Sequence, residues 1–351
     1  MNDNWADARA AARRGPFFIV LNARSGRQEA QKVRDLIADV LNQAGRTHEF
    51  LMGHAGASVD ELARRAVEQA KAQQGVVVAC GGDGTVSAVA HAVLGSGCPF
   101  AVVPQGTFNY FGRAHGISQD AAEATGQMLA GHTDLVQVGR VNERLFLVNA
   151  SLGLYPKLLE DREAYEGRFG RSRLVSILGA LATLMKWRGH LDVRDETAEE
   201  VRALRTTTLF VGNNRLQLDR VGVEPDHAEA TENGFLTAVV VRQIGPLALL
   251  GLAFRGLLGR LADAEHVSTF AFRRLTVAPR RLRRVKVALD GEVIRMRLPL
   301  VFEAFPHALL LVRPPSAVTE SETGRLGAGQ EPSNEPLDSP VATAHAAAPG
   351  P

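Results

Sequence analysis

The chain has 351 residues, of which 45% are hydrophobic and 22% are charged, and its formal net charge is +2. This length favours two domains over one, and the composition is typical of a globular protein with a sizeable core. The near-neutral charge excludes a polycation that binds nucleic acid through charge alone. The two cysteines, Cys80 and Cys98, do not form a metal-binding CxxC cluster.

The N-terminal region alternates short apolar runs, which predict strands, with segments of 3.6-residue periodicity, which predict helices. Ser58 is placed to cap one of these helices. This alternation favours a Rossmann-like parallel sheet covered by helices over residues 14–134. The predicted elements are strand Phe17–Leu21, helix Glu29–Ala44, strand Thr47–Leu51, helix Val59–Gln73, strand Val76–Ala79, helix Val86–Leu94, strand Phe100–Val103 and a helix from Asn109 onward.

Beyond Asp134 the pattern changes to strands joined mainly by turns, with helices at Arg173–Trp187 and Pro246–Leu261. We therefore predict an α/β chain whose second domain, residues 135–315, is mainly antiparallel. The predicted strands are Leu145–Asn149, Thr206–Val211, Phe235–Val241, Thr269–Val277, Val285–Leu289 and Leu309–Val312. Residues 316–351 contain no aromatic residue and are predicted to form a disordered tail, since they bury too little apolar surface to offset the entropy of ordering.

Three turns rich in glycine and asparagine follow strands of the first domain: Asn22–Gly26, Gly81–Thr85 and Pro104–Asn109. In an open α/β sheet such turns lie at the carboxyl edge, where ligands bind, and each leads into a helix N-terminus that favours anions. Together they predict a site for a nucleotide polyphosphate. The Walker P-loop is absent, and so is the GxGxxG fingerprint, because Ser87 stands where its third glycine would be.

Two turns carry carboxylates. Asp83 lies inside a glycine turn, where a carboxylate suits Mg²⁺ or a substrate hydroxyl better than phosphate itself. The alternative for Asp83 is an Asx-turn that only shapes the loop. The second turn, Leu289-Asp290-Gly291-Glu292, follows a predicted strand, and in isolation such a turn is more often a solvated hairpin.

Four motifs occur in a fixed order: N-x-x-S-G, GGDGT, G-T-x-N and a late D-G-E. This set, over Phe17 to Pro314, resembles the diacylglycerol kinase and sphingosine kinase family, and is most similar to its bacterial lipid-kinase branch. The similar region includes the stretch Phe146–Tyr155. The resemblance implies a nucleotide-binding α/β domain followed by a β-sandwich domain, with the active site in the cleft between them.

The resemblance also implies site residues and cofactors. Asp290 and Glu292 would serve as proton acceptor and metal partner, and Asp83 is the third candidate catalytic residue and the candidate metal ligand. The implied cofactors are ATP and Mg²⁺. The residues that would line the ATP phosphates are Asn22, Ser25, Gly26, Gly82, Gly84, Thr85, Thr107 and Asn109.

The chain departs from the family pattern at several positions. Ser87 and Ala88 stand where relatives commonly have Asn-Glu, and Gln137 stands where they commonly have aspartate. The segment Asp226–Thr237 lacks the acidic spacing of a structural metal site found in some relatives. These departures leave the lipid unidentified and keep two alternatives open: a soluble-substrate kinase of the NAD kinase superfamily, and a non-catalytic lipid-binding protein with the same fold.

Basic segments favour contact with a membrane. The stretch Arg273–Lys286 contains basic residues and no acid, which favours an anionic membrane surface, although a solvated basic strand face is the alternative. Gly167–His190 has basic flanks and an apolar body, as in an interfacial helix or in a helix packed on the second domain. We expect a lipid substrate, no nucleic-acid partner, and a cytoplasmic protein associated peripherally with a membrane. A homodimer is kept open as an alternative to a monomer.

Overall fold

A computed structural model of the chain describes residues 14–22, 27–53, 58–153, 191–195, 202–242, 266–278 and 283–315, and the isolated positions 9, 12 and 156. Several predictions lie outside the described residues. They are the disordered tail 316–351, the helices Arg173–Trp187 and Pro246–Leu261, the interfacial segment Gly167–His190, and the site residues Ser25 and Gly26.

The first part of the chain confirms the predicted alternation of strands and helices. Ser58 caps the second helix by accepting a hydrogen bond from the Glu61 N–H at 3.2 Å. The sequence prediction omits one helix, which Asp120 caps by accepting from the Glu123 N–H at 2.9 Å. The elements are β1 Phe17–Leu21, α1 Arg27–Gln43, β2 His48–Met52, α2 Val59–Gln73, β3 Val76–Gly81, α3 Asp83–Val93, β4 Phe100–Pro104, α4 Tyr110–Ala114 and α5 Ala121–Ala130.

These four strands pair in parallel in the order β2-β1-β3-β4. Every residue of β1, β3 and β4 is buried, as expected for strands that helices cover on both faces. Helix α2 packs on α3, and α1 packs on α5. The strand order reverses between β1 and β3, so the carboxyl ends of these two strands flank the position where ligands bind in such sheets.

The rest of the described chain is mainly antiparallel, which confirms the predicted class. Two predicted strands are interrupted, one at Leu147–Val148 and one at Arg273. The sequence prediction omits β5, β8, β14 and the short helices α6 and α7. The elements are β5 His132–Val141, β6 Arg144–Phe146, β7 Asn149–Gly153, β8 Leu191–Asp195, β9 Arg202–Gly212, α6 Arg215–Arg220, α7 Pro225–Glu229, a 3₁₀ turn Ala230–Glu232, β10 Leu236–Arg242, β11 Val267–Phe272, β12 Arg274–Val277, β13 Arg284–Leu289, β14 Glu292–Arg297 and β15 Leu300–Arg313.

Strand β15 joins the two parts of the fold. Its Leu311 pairs in parallel with Phe100 of β4, while the strand also pairs antiparallel with β5 and β12. The main path of the sheet therefore runs β14-β13-β7-β9-β8-β12-β15-β4-β3-β1-β2 among the described residues. One apolar cluster surrounds the parallel strands and a second fills the antiparallel part, with Phe272 and Phe302 at its centre. The domain boundaries at residues 134 and 315 stay a prediction.

Candidate functional site

Asn22, the described residue of the first predicted turn, meets the GGDGT loop at the reversal point of the parallel sheet. Asn22 follows the last residue of β1, and its Nδ2 donates a hydrogen bond of 2.8 Å to Thr85 Oγ1 in the GGDGT loop. The Asn22 N–H donates to the carbonyl oxygen of Cys80 at 3.2 Å. The carboxyl ends of β1 and β3 are thus tied together by residues of both motifs.

The GGDGT loop forms the first turn of α3. Gly82 is the N-cap residue, and its carbonyl oxygen accepts from the N–H groups of Thr85 and Val86 at 2.9 and 3.0 Å. The first N–H groups of a helix have no acceptor within the helix, and the helix dipole favours negative charge there. A Cβ on Gly84 would meet no described atom within 4 Å, so the described part of the chain leaves space beside this residue. The turn has the form of an anion site.

The third turn approaches this loop backbone to backbone. Gln105 N–H donates to the carbonyl oxygen of Gly81 at 2.9 Å. A Cβ on Gly106 would lie 2.8 Å from Gly82 Cα and 2.6 Å from Asn109 Oδ1, which is closer than a real side chain tolerates. Glycine at position 106 is therefore what allows the two loops to touch.

Asn109 shapes the third turn from within. It is 5% exposed, and its backbone has a positive φ of 47°. Its Oδ1 accepts from the Gly106 N–H at 2.8 Å, and its Nδ2 donates to the Gly106 carbonyl at 2.8 Å and to Gln119 Oε1 at 2.7 Å. The amide is thus engaged within the protein and holds the exposed Thr107 at the loop surface. Direct contact of either residue with a nucleotide stays a prediction.

Asp290 and Gly291 form the two-residue turn between β13 and β14. Their φ values of 46° and 92° are both positive, as a tight hairpin turn of this length requires. The alternative interpretation of this motif, a solvated hairpin turn, agrees with the structure in one respect only. The turn is a hairpin, but the Asp290 carboxylate accepts hydrogen bonds from protein donors rather than pointing into solvent.

Four donors surround that carboxylate. Its Oδ1 accepts from the N–H groups of Val148 and Asn149 at 2.9 and 3.0 Å. Its Oδ2 accepts from the Leu147 N–H at 2.8 Å and from Ser87 Oγ at 2.7 Å. A carboxylate has about four acceptor positions, so all of them are filled.

Two of the three backbone donors lie where the chain leaves the sheet between β6 and β7, and the third, Asn149, begins β7. Leu147 and Val148 lie in that interruption, where their N–H groups are not used in strand pairing. Asn213 braces the segment: its N–H donates to the Val148 carbonyl at 2.9 Å and its Nδ2 to the Leu147 carbonyl at 2.9 Å. Residues Leu147–Asn149 therefore form a binding site for the Asp290 carboxylate, which we call the Asp290 receptor.

Both carboxyl groups have a raised pKa, and the charge of Asp290 acts on Asp83. Burial raises the pKa of Asp290, and its hydrogen bonds, led by the Leu147 N–H and the Ser87 hydroxyl, oppose the rise. Burial also raises the pKa of Asp83, against backbone N–H groups at the start of α4, and the Asp290 charge adds to the rise. The structure thus brings together the central acids of the GGDGT and D-G-E motifs, which are far apart in sequence.

Asp83 has the properties of a cation ligand. Its Oδ1 is buried and has no hydrogen-bond partner among the described residues. Within the part of the chain that the structure describes, there is no group of three or more His, Cys, Asp or Glu side chains that could hold a metal alone. An Mg²⁺ ion at Asp83 fits this oxygen if phosphate oxygens and water complete its coordination, as is usual for Mg²⁺.

Glu292 lies apart from this network. It is the first residue of β14, opposite Leu289 in the hairpin, and it is exposed. No described residue forms a hydrogen bond or ion pair with its carboxylate. The structure therefore joins Asp290 to the glycine loop but leaves Glu292 at the surface.

Two departures from the family pattern have structural roles. Ser87 supplies the donor to Asp290 described above. Gln137 Nε2 lies within hydrogen-bonding distance of three oxygens, Asn213 Oδ1 at 2.8 Å, the Phe235 carbonyl at 2.9 Å and the Thr231 carbonyl at 3.0 Å. It thereby supports Asn213, which braces the receptor for Asp290. Sequence reasoning missed Asn213, whose only signal is its place in an Asn-Asn pair directly after β9.

Comparison with known proteins connects this geometry to a family. Residues 16–141 match the family model of the diacylglycerol kinase catalytic domain. A diacylglycerol kinase of Staphylococcus epidermidis is 30% identical over 264 residues, which is 73% of this chain and 74% of that protein. The diacylglycerol kinase of Bacillus subtilis is 26% identical over 285 residues, 78% of this chain and 88% of that protein.

A solved structure shares the fold. The crystal structure of a diacylglycerol kinase from Bacillus anthracis superposes with a TM-score of 0.60 at 18% identity, and the match covers 87% of this chain and 98% of that one. Among the described residues, the helices are all too short or too polar to cross a membrane.

Proposed function

The chain belongs to the diacylglycerol kinase family, and we propose that it is an ATP- and Mg²⁺-dependent lipid kinase that phosphorylates the hydroxyl group of diacylglycerol or a related lipid. The observation that carries the proposal is the hydrogen bond between Ser87 Oγ and Asp290 Oδ2. This bond joins α3, which begins in the GGDGT loop, to the turn that carries Asp290, the proposed proton acceptor. A phosphoryl-transfer site needs these two parts at one place.

The nucleotide phosphates are proposed to bind over the first turn of α3. The space that the described residues leave beside Gly84 and the unpaired N–H groups of a helix N-terminus support this position. Asn22 and Thr85 fix the loop from the β1 side, and the third turn fixes it through Gly106. Ser25, Gly26, Thr107 and Asn109 are proposed to complete the nucleotide pocket.

Asp290 is proposed to accept the proton of the lipid hydroxyl. Its raised pKa makes it a better base than an ordinary aspartate, and it lies beside the phosphate loop. Ser87 is the one side-chain donor among its four partners, so rotation of that hydroxyl frees an acceptor position for the lipid hydroxyl. Glu292 is a weaker candidate for this role because of its exposure, and we keep it as the proposed metal or substrate partner.

Asp83 is proposed to hold Mg²⁺ through its unpartnered Oδ1. The ion would neutralise charge on the transferred phosphoryl group when bound. The neighbouring charge of Asp290 already raises the pKa of Asp83, so a cation held by Asp83 would relieve repulsion in the site.

Two alternatives remain, a soluble-substrate kinase and a non-catalytic lipid-binding protein. The relatives named above favour a lipid as substrate, since both are diacylglycerol kinases and the match to this chain covers most of their length. The filled carboxylate receptor argues against loss of catalysis, since a protein that only bound lipid would have no need to bury a charged side chain beside the phosphate loop. We further propose that the protein contacts the membrane peripherally to reach its substrate.

The decisive experiment compares the wild type with Asp290→Asn, which tolerates the positive φ of 46° better than alanine does. Each protein is incubated with radiolabelled ATP, Mg²⁺ and a total lipid extract. We expect label in a lipid product, and a loss of at least about 100-fold in the variant. The exposed Asp60→Asn is the matched control and should keep full activity. Label only in the aqueous phase would favour the soluble-substrate kinase, and no label would favour the lipid-binding protein.

A further inference from the structure

The hairpin that carries Asp290 has an outer face built from cations. Strands β13 and β14 pair antiparallel, with Arg284 opposite Arg297 and Lys286 opposite Arg295. Because side chains alternate along a strand, these four lie on one face, which we call the basic hairpin face. Arg284, Arg295 and Arg297 are exposed, and Lys286 is partly buried.

This arrangement is unfavourable for the isolated protein. Like charges directly opposite each other on a strand pair destabilise it. Within the described part of the chain, no carboxylate lies within ion-pair distance of Arg284, Arg295 or Arg297. The register cannot slip to relieve the repulsion, because Val287, Leu289 and Met296 on the other face are packed in the second apolar cluster. The three arginines of this face therefore carry charge that no described carboxylate neutralises.

Two of the other basic residues predicted to contact a membrane, Arg273 and Arg274, do not share this character. Arg274 forms an ion pair of 3.2 Å with Glu303. The Arg273 guanidinium lies over the Phe235 ring at 4.7 Å from its centroid. Arg280 and Arg281 lie outside the described residues. The basic stretch Arg273–Lys286 is thus divided, and its hairpin part gains Arg295 and Arg297, which the sequence prediction did not include.

The basic hairpin face is close to the proposed reaction site. Asp290 lies at the tip of the same hairpin, six positions after Arg284 and four after Lys286. At about 3.3 Å per residue, these cations lie roughly 13–20 Å along the strand from the carboxylate. Strand β14 is at the end of the main path of the sheet, so no further strand among the described residues pairs with it on that side.

We propose that the basic hairpin face is the surface with which this protein docks on an anionic lipid bilayer. This proposal rests on the proposed function and names the surface by which the kinase would bind the membrane that contains its substrate. Lipid headgroup phosphates supply the neutralising charge, and docking brings the Asp290 turn to the headgroup layer. A nucleic acid is the less suitable partner, because the face contains no aromatic residue on which a base could stack.

The test removes the charge without touching the core. The variant R284Q/R295Q/R297Q is compared with the wild type by co-sedimentation with phosphatidylcholine vesicles that contain or lack 30% phosphatidylglycerol. At the usual contribution of a basic residue near an anionic surface, partition into the anionic vesicles should fall roughly 100-fold. The matched control R64Q/R65Q/K71Q removes the same charge from the exposed side of α2 and should partition like the wild type.

A second measurement separates this proposal from the kinase proposal. Both proteins are assayed for lipid phosphorylation in neutral detergent micelles, where docking to an anionic surface is not needed. Retained micelle activity with lost vesicle partition supports the docking surface. If no lipid is phosphorylated but the partition difference persists, the docking surface stands and the kinase proposal fails.

Three results would overturn the docking surface. They are equal partition of the triple variant and wild type, an equal loss in the α2 control, and wild-type partition that does not depend on phosphatidylglycerol. Unchanged partition together with lost binding to duplex RNA would assign the face to nucleic acid instead. Thermal melting checks the fold, and the triple variant should melt no lower than the wild type because it lacks the opposed charges.

Discussion

The hydroxyl of Ser87 donates a hydrogen bond of 2.7 Å to Asp290 Oδ2, although the two residues are 203 positions apart in the chain. Ser87 belongs to the helix that begins in the GGDGT loop, and Asp290 belongs to a hairpin of the antiparallel part. The bond links the two motifs side chain to side chain, and it uses a serine at a position where relatives commonly have asparagine.

Removing this donor should change the pH dependence of turnover. The Ser87 hydroxyl lowers the pKa of Asp290 against the dominant effect of burial, so Ser87→Ala should raise that pKa further. Since the base must be ionised to act, the acid limb of kcat/KM should move to higher pH. We expect a stability loss of about 1.5 kcal/mol, typical for a hydrogen bond to a charged group. Ser118→Ala, which removes an exposed bond of 2.7 Å to Glu123, is the control and should leave the profile unchanged. An unshifted acid limb in Ser87→Ala would contradict the coupling.

Asp83→Asn should abolish turnover while the protein stays folded. The folded-state pKa of Asp83 is raised by burial, so the ionised form costs stability at neutral pH. The wild type therefore gains stability as pH falls through this raised pKa, and the asparagine variant lacks that gain. Urea unfolding from pH 7 to pH 4 measures the difference between the two proteins. If Asp83→Asn keeps full activity at an equal melting temperature, Asp83 only shapes the turn.

Two glycines of the loops proposed to bind phosphate should respond to alanine in opposite ways. Gly106→Ala forces contacts of 2.6 and 2.8 Å with Asn109 Oδ1 and Gly82 Cα, and should cost about 1–3 kcal/mol. In Gly84→Ala the new methyl group meets no described atom within 4 Å, so the melting temperature should be equal or higher. The added methyl nevertheless occupies the space proposed for phosphate, and KM for ATP should rise about tenfold. An unchanged KM in Gly84→Ala would place the phosphates elsewhere.

Gln137→Glu tests the support of the Asp290 receptor. The substitution keeps the size of the side chain but replaces a donor that faces three oxygens with an acceptor. We expect a loss of about 3 kcal/mol at neutral pH. Burial and the three oxygens would raise the pKa of the new carboxyl group, so stability should recover as pH falls and the group regains a proton. Thermal melting across pH measures this, with the exposed Gln28→Glu as control. A stability loss that does not vary with pH would contradict the role assigned to the amide.

Some of this structure follows from local sequence. The apolar runs of β1, β3 and β4 are buried along their whole length, so they are recognisable without any partner. The turns after them can be recognised from glycine and asparagine. The start of α3 was predicted at Val86 but lies at Asp83, because glycine and aspartate have low propensity within a helix and yet suit its first turn.

The remainder depends on backbone groups and on distant pairing. Three of the four donors to Asp290 are the peptide N–H groups of Leu147, Val148 and Asn149. Nearly every residue type has a peptide N–H group, so the residue types at these positions do not reveal the role. The apolar side chains of this segment predict a continuous strand, whereas its N–H groups at the interruption donate to the Asp290 carboxylate. Gln137 and Asn213 likewise reveal their role only through partners remote in the chain.

The position of β15, the last described strand, determines when the sheet can be completed during folding. Because β15 lies beside β4 and pairs with β5, the parallel sheet lacks an inner neighbour until residue 313 has left the ribosome. Contacts of such long sequence separation form slowly, and an uncovered strand edge is open to pairing with other chains in the meantime. The edge of β4 that β15 covers in the folded protein is therefore unpaired by that strand during synthesis of the N-terminal half.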